Sequence, residues 1–302
     1  MLFPGNRDYE GRHAGSYDPR TNPLRYVRPL LIVLFCLALL AWPFLEPLLP
    51  VVEEVTLTGA DLPASIGELR IVYVSDIHAG PFFSQARVRD LVHRINGLKA
   101  DIVLLGGDYA QDSDSAVAFF HALPTIYSRY GVYAVPGNHD RTLPESNLSQ
   151  LRAAMQGAGV TPVFNDAVRV RIGSGAVWIA GVDDMNCGHP DLRSISSQVR
   201  SEEYVIFLSH SPAMIPDAFS ARDAAGESHW FDLGLFGHTH GGQVNLFGPL
   251  ICDERVPEAY RSGWSYANRA ALLTSRGYGT SVLPIRLFCR PQLHLITVER
   301  PD

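Results

Sequence analysis

Five short apolar runs, each ending directly in side chains able to ligate a metal ion, constrain this chain more than any other feature. Residues 71–74 lead into Ser75-Asp76-Ile77-His78, residues 102–105 into Gly106-Gly107-Asp108, and residues 132–135 into Pro136-Gly137-Asn138-His139-Asp140. Residues 204–208 lead into Ser209-His210, and residues 233–236 into Gly237-His238-Thr239-His240-Gly241-Gly242. Short runs of Val, Ile and Leu read as strands buried on both faces. Ligands of open α/β sheets collect beyond the carboxyl ends of such strands. One histidine alone is ordinarily a hydrogen-bonded structural residue, but five clusters at the same place relative to a strand point to a shared site.

The rest of the pattern agrees with an α/β protein. Further strand-like runs occupy 177–182 and 293–298, and helices are predicted over 84–98, 115–128, 145–157 and 192–200, with Ser84 and Ser115 as caps. Residues 51–68 read as a linker or a first edge strand, and no internal repeat interrupts the body.

The chemistry of the clusters is specific. Asp76-x-His78 and His238-x-His240 place two ligands at i, i+2, which in an extended segment puts both on one side, where each pair clasps one cation. Asp108 can bridge two cations, Asn138 adds a neutral amide oxygen, and His210 a further imidazole. Two divalent cations against two carboxylates leave about two positive charges for a phosphate dianion. Coordination lowers the pKa of bound water towards ~7, and cations about 3.5–4 Å apart clamp an in-line phosphoryl displacement. The mixed N/O donor set suits Mn, Fe, Zn or Co better than Ca or Mg. His139 is read as a neighbour of the ligands facing the phosphate or the leaving oxygen, with Asp140 orienting its imidazole; protonated, it would neutralise the departing alkoxide or act as general acid, worth roughly 10²–10⁴ in rate.

Taken in order, Asp76-x-His78, Gly107-Asp108, Gly137-Asn138-His139-Asp140, Ser209-His210 and Gly237-His238-Thr239-His240 resemble the calcineurin-like metallophosphoesterase superfamily over about residues 69–300. The membrane-attached bacterial branch with the YkuE-like phosphoesterases is the nearest resemblance, carried by Gly181-Val182-Asp183-Asp184, residues 237–243, Ser275-Arg276-Gly277-Tyr278-Gly279 and Pro284-Ile285-Arg286. The resemblance implies a four-layer α/β/β/α sandwich of two mixed β-sheets. It also implies two divalent metal ions, one on Asp76, His78, Asp108 and His240, the other on Asp108, Asn138, His210 and His238. The implied activity is hydrolysis of a phosphoester or pyrophosphate, with His139 as the catalytic histidine. Some enzymes it resembles cleave UDP-2,3-diacylglucosamine in lipid A synthesis; other envelope, phospholipid or nucleotide phosphodiesters, or a non-catalytic metal-binding membrane module, are the alternatives. Gln292 departs from the branch, which often carries Glu there.

Ahead of the body, residues 30–45 form an apolar run, marginal in length against the roughly 17–25 residues that span a bilayer. The expected organisation is a basic tail over 1–28, a transmembrane or membrane-associated segment over 29–50, a linker over 51–68 and a catalytic domain over 69–302. The prolines Pro43, Pro47 and Pro50 are expected to break a continuous helix. The tail carries +2 of a total of −6, which leaves −8 for the remainder. Arg20, Arg25 and Arg28 precede the run, and Glu46, Glu53, Glu54, Asp61 and Glu68 follow it, so the positive-inside rule predicts an uncleaved anchor in the bacterial inner membrane with the body outside. A cytoplasmic body, which the nucleotide lipid would require, is the alternative, and a peripheral segment would permit it. The expected partners are a phosphorylated small-molecule or lipid substrate, whose charge bound metal would meet, and the membrane; the acidic body argues against a nucleic-acid polymer. Cys36, Cys187, Cys252 and Cys289 are too scattered for a disulfide scaffold, and Cys187-x-His189 reads as loop structure rather than a ligand pair.

Overall fold

The structure is a computed structural model that describes residues 24–142, 148–249 and 253–301. Most of the basic tail, with Arg20, and also Glu145 and Cys252, lie outside the described residues.

The helix is longer than the apolar run within it, since it begins before Arg25 and Arg28. Helix α1 covers Leu24–Leu45, 22 residues, or about 33 Å at 1.5 Å per residue, enough for the roughly 30 Å hydrocarbon core of a bilayer. Its side chains from residue 26 onwards are almost all exposed. Pro43 does not end it; the helix stops at Leu45 and a single 3₁₀ turn, Glu46–Leu48, follows.

The remainder, residues 43–302, is a separate compact unit built on two six-stranded mixed sheets. In chain order its strands are β1 Val51–Thr58, β2 Glu68–Val74, β3 Ile102–Leu105, β4 Val132–Ala134, β5 Val160–Pro162, β6 Asp166–Ile172, β7 Gly175–Gly181, β8 Val205–Leu208, β9 Leu233–Phe236, β10 Gly263–Ala267, β11 Ala270–Thr274 and β12 Gln292–Glu299. Its helices are α2 Gln85–Gly97, α3 Ser113–His121, α4 Leu148–Gly157, α5 Leu192–Ser196 and α6 Ile215–Ser220. The first sheet has the order β1-β12-β2-β3-β4-β5 and the second β10-β11-β9-β8-β7-β6. Residues 51–58 are therefore no linker but an edge strand, paired in parallel with β12 from Val51 opposite Gln292 to Thr58 opposite Glu299.

Period-two alternation assembles the layers. Ile71 and Tyr73 of β2 and Ile102 and Leu104 of β3 face Ile206 and Leu208 of β8 and Leu233 and Leu235 of β9 in a core between the sheets. Val72, Val74, Val103 and Leu105 point the other way, onto Leu91 and Ile95 of α2, Phe119 and Phe120 of α3 and Met155 of α4. Val205 and Phe207 pack with Ile195 of α5, Ile215 and Ala218 of α6, and Trp230. The result is the α/β/β/α sandwich. Burial on both faces explains why the runs were continuous rather than alternating. Caps differ in detail: α3 starts on Asp112, whose carboxylate accepts from Ser115 N at 2.8 Å, and Ser84 precedes α2 without a side-chain cap bond.

Candidate metal centre

β2, β3 and β4 run parallel in one sheet and β8 and β9 parallel in the other, so their outgoing loops meet at one edge of the sandwich. Backbone bonds weld them together. Asp76 N and His78 N donate to the Gly107 and Asp108 carbonyls at 2.9 and 3.0 Å, and Gly237 N donates to the His210 carbonyl at 2.9 Å. His238 N donates across the two sheets to Asp76 Oδ1 at 2.9 Å.

All seven candidate ligands converge here. Donor atoms of Asp76, His78 and His240, of Asp76, Asp108 and His210, and of His78, Asp108 and His139 each lie within 4.8 Å of one another. His78 Nε2 lies 3.0 Å from His240 Nε2 and 3.5 Å from Asp108 Oδ2. His240 Nε2 is 3.5 Å from Asp76 Oδ1. His210 Nε2 is 3.2 Å from Asp108 Oδ2, and His238 Nδ1 is 3.0 Å from Asn138 Oδ1. Asp76, His78, Asp108, His210 and His240 are buried.

The i, i+2 pairs do not lie in extended backbone. Asp76, His78, His238 and His240 have φ of 54°, 48°, 68° and 50°, so left-handed residues, not strand geometry, turn each pair inward. Gly107, at φ 92°, permits the close approach of β3 to β4: a Cβ there would meet Gly137 N at 2.6 Å and His210 Nδ1 at 2.8 Å.

The donor set fits divalent cations. His210 Nδ1 lies 2.8 Å from the Gly106 carbonyl, which can only accept, so Nδ1 carries the proton and the Nε2 lone pair is turned on two carboxylates. Burial alone would depress this imidazole, but the charges of Asp108, Asp76 and Asp184 hold it well above the ordinary histidine range, so a proton favours the Nε2 position that a cation would take in its place. Burial opposes the charge of Asp108 too, yet His210, His78 and His139 outweigh it and hold its carboxyl below the usual carboxylate range. Burial, with His78 and Arg286 adding to it, keeps His240 neutral, the form that ligates metal. Two imidazole nitrogens 3.0 Å apart beside buried carboxylates, with His78 Nδ1 and His210 Nε2 completing no hydrogen bond among the described residues, describe groups arranged around positive charge.

His139 stands at the rim, half-buried. Its backbone N donates to Asp108 Oδ1 at 2.9 Å. Its Nδ1 lies 3.0 Å from the Gln111 carbonyl, so Nδ1 is the donor and Nε2 is the ring nitrogen left free to act. Asp140 does not orient this ring. Its carboxylate accepts from Asp108 N at 2.8 Å, Tyr109 N at 3.0 Å and Gly137 N at 2.8 Å, which locks the β3 and β4 loops together. Burial and then the charge of Asp108 push its carboxyl up to about 7.

Several neighbours shape the centre without being candidate ligands. Asp253 Oδ2 lies 3.1 Å from His238 Nε2 and fixes that ring. Arg286 is fully buried and donates to the carbonyls of Arg276, Gly279 and Cys289 at 2.7–3.0 Å, so it is a framework residue, not a surface or phosphate-contacting one. Asp183 pairs with Arg141 at 2.9 Å, and Asp184 caps the loop that carries Cys187. A cavity of about 340 Å³ opens on the centre, lined by Asp108, Asn138, His139, His238, His240 and Ser281 among others. A larger one, about 430 Å³, lies at the opposite end of β8 and β9, beside Tyr204 and Asp232.

Residues 69–242 match the family model of the calcineurin-like phosphoesterases. The chain is 26% identical over 264 residues to the uncharacterized metallophosphoesterase YkuE of Bacillus subtilis, covering 85% of this chain and 88% of that protein. It is 27% identical to the phosphodiesterase YaeI of Escherichia coli over 75% of this chain and 81% of that one. A transmembrane protein with metallophosphoesterase domain from Bos taurus is 30% identical, covering 96% of this chain and 66% of the bovine protein.

Proposed function

This chain belongs to the calcineurin-like phosphoesterase family, as a metal-dependent phosphoester hydrolase of the YkuE-like branch, and from that premise we propose that it is a membrane-anchored phosphodiesterase whose metal centre consists of the seven clustered residues. Asp76, His78, Asp108 and His240 would hold one divalent cation, and Asp108, Asn138, His210 and His238 the other. The observation that carries this assignment is His210, whose protonated Nδ1 is tied to the Gly106 carbonyl while Nε2 faces Asp108 and Asp76 at 3.2 and 3.9 Å.

When bound, the cations would supply positive charge for the phosphate and water of lowered pKa. The chain's own residues do the rest. His139 in its imidazolium form, with Nδ1–H donating to the Gln111 carbonyl, would deliver the Nε2 proton to the leaving oxygen and become neutral. Asp140 touches no reacting group in this scheme; it positions Asp108 through its backbone N–H. The acidic balance of the chain, −6 overall, supports a small or lipid phosphodiester over a nucleic acid. α1 spans the membrane in this reading, with the catalytic domain beginning beyond it, on the outer side of the bilayer. The finer substrate depends on that side: an outward domain fits another envelope phosphodiester or a phospholipid, and UDP-2,3-diacylglucosamine, which the resemblance suggests, fits the cytoplasmic alternative.

Full-length protein in detergent should hydrolyse bis-p-nitrophenyl phosphate with added Mn²⁺ and lose that activity to chelator. Asp108→Ala should abolish turnover and metal retention together, whereas His139→Ala should lower turnover by roughly 10²–10⁴ with metal content unchanged. Undiminished turnover in both variants would sink the assignment, and wild-type protein that holds metal without turnover would favour the non-catalytic module. A panel of diacylated UDP-sugar, cyclic nucleotides and phospholipids then selects the substrate.

A further inference from the structure

Two loops beside the metal centre expose large apolar side chains. Phe247 is 98% exposed, Val282 81% and Phe288 64%, with Leu246 and Leu283 next to them. The loops form one piece. Val244 bridges Leu287, Asn245 N donates to the Leu287 carbonyl and Leu287 N to the Gln243 carbonyl at 2.9 and 3.0 Å, and the Gln243 amide donates to the carbonyls of Ser281 and Leu283. Val282 and Phe288 also have φ of 62° and 54°, a region where a β-branched or bulky residue is an outlier. The strained backbone holds both side chains outward, and in water that outward position costs apolar exposure.

This collar is stitched to the segment where α1 ends. Arg286 N donates to the Pro43 carbonyl at 2.9 Å. The buried Glu46 carboxylate accepts from Phe288 N and Cys289 N, and Arg290 Nε reaches the Leu49 carbonyl at 2.8 Å. Arg87 donates to the Pro47 carbonyl at 2.6 Å. The apolar side chains thus sit within a few residues' reach of the last apolar residue of the helix, Leu45, with Arg87 and Arg290 alongside.

We infer that Leu246, Phe247, Val282, Leu283 and Phe288 insert into the interfacial layer of the bilayer, so that the catalytic domain rests on the membrane with its metal centre at headgroup level. Aromatic and aliphatic tips flanked by arginines suit that layer. Ser281, which lines the catalytic cavity, is the immediate neighbour of Val282, so the mouth of the site and the inserted collar are continuous. The inference rests on the membrane-anchor reading above.

Full-length protein in nanodiscs of phosphatidylcholine and phosphatidylglycerol with brominated acyl chains separates the two. Trp178, Trp230 and Trp264 also emit, so the emission lost on Trp42→Phe reports the anchor. In that Trp42→Phe background, the emission added by Phe247→Trp and by Val282→Trp reports the collar, and that added by Tyr266→Trp on β10 serves as the solvent control. Quenching by bromolipid at 247 and 282 but not at 266 is the expected result. Quenched Trp42 with iodide-accessible, bromolipid-insensitive emission at 247 and 282 overturns the collar and leaves the anchor standing. Unquenched Trp42 overturns the anchor and the collar with it. Hydrolysis of bis-p-nitrophenyl phosphate at the parent rate verifies that each variant is folded.

Discussion

Asp76, His78, Asp108, His238 and His240 all hold φ between 48° and 68°, a conformation that costs an L-residue roughly 1–2 kcal/mol. Asp and His tolerate it better than branched residues, and the strand-end hydrogen bonds hold it in place, so strain and ligation coincide. The glycines between these residues are equally demanding. A Cβ on Gly137 would run into the Asp108 carboxylate and meet Asp108 N at 2.5 Å. Gly137→Ala should therefore lower phosphodiesterase turnover by about 10² or more, while Gly157→Ala at the end of α4, where a Cβ meets nothing, should leave it unchanged; equal rates in an assay of both would contradict this geometry. The ligands themselves were legible in the sequence because ligation requires particular residue types after particular strands. Their direction was not, since i, i+2 spacing was read as extended backbone. Gln111 was invisible because it holds His139 through a main-chain carbonyl, and Asp253 because it meets His238 from a distant loop.

Elements buried on two faces announced themselves, and edge elements did not. β2, β3, β8 and β9 are runs of Val, Ile, Leu and Phe that need no alternation to be found. β6 and β10 are half-exposed, β5 has three residues, and β11 opens on two alanines, weak strand formers. The layered arrangement came from the family resemblance, not from periodicity. Gln292 on β12 shows how one departure fits: its amide donates to Glu53 on β1 at 2.5 Å while its oxygen accepts from Arg276 N, a pairing a carboxylate could not make. β9 joins the two ends of the sandwich, with His238 beyond its last residue and Asp232 before its first. Asp232 accepts from Val205 N at 2.8 Å, and burial, with the charge of Asp61 adding to it, pushes its carboxyl up to about 7. The folded chain keeps this proton up to about 7, whereas the unfolded chain releases it near ~3.9. Between those values the folded state binds more protons, so stability from this group is full at acid pH and is lost as pH rises through about 7. Asp232→Asn should accordingly raise the melting temperature by a few degrees near about pH 8 and by much less near about pH 5. A gain independent of pH, measured by calorimetry, would contradict the shift.

At the scale of the whole molecule, the proposed anchor makes charge the guide to which side of the membrane the catalytic domain would occupy. Folded, the domain brings Arg87 and Arg290 to the residues that follow α1, which would balance Arg25 and Arg28 on the other side. Orientation, however, is set on an unfolded chain by Lys and Arg within about 15–20 residues of the span. After Leu45 the first basic residue is Arg70, so the arginines gathered by folding arrive too late to count. Alkaline phosphatase fused after Asp302 should therefore be active in a bacterial host and green fluorescent protein at the same place dark, and Arg25→Glu with Arg28→Glu should raise the cytoplasmic fraction. The reverse pattern in the parent chain would overturn the outward orientation. The result reaches the chemistry as well. An outward result would set aside UDP-2,3-diacylglucosamine, which requires a cytoplasmic body, and would leave phosphodiesters of the envelope or of the outer leaflet as the proposed substrates.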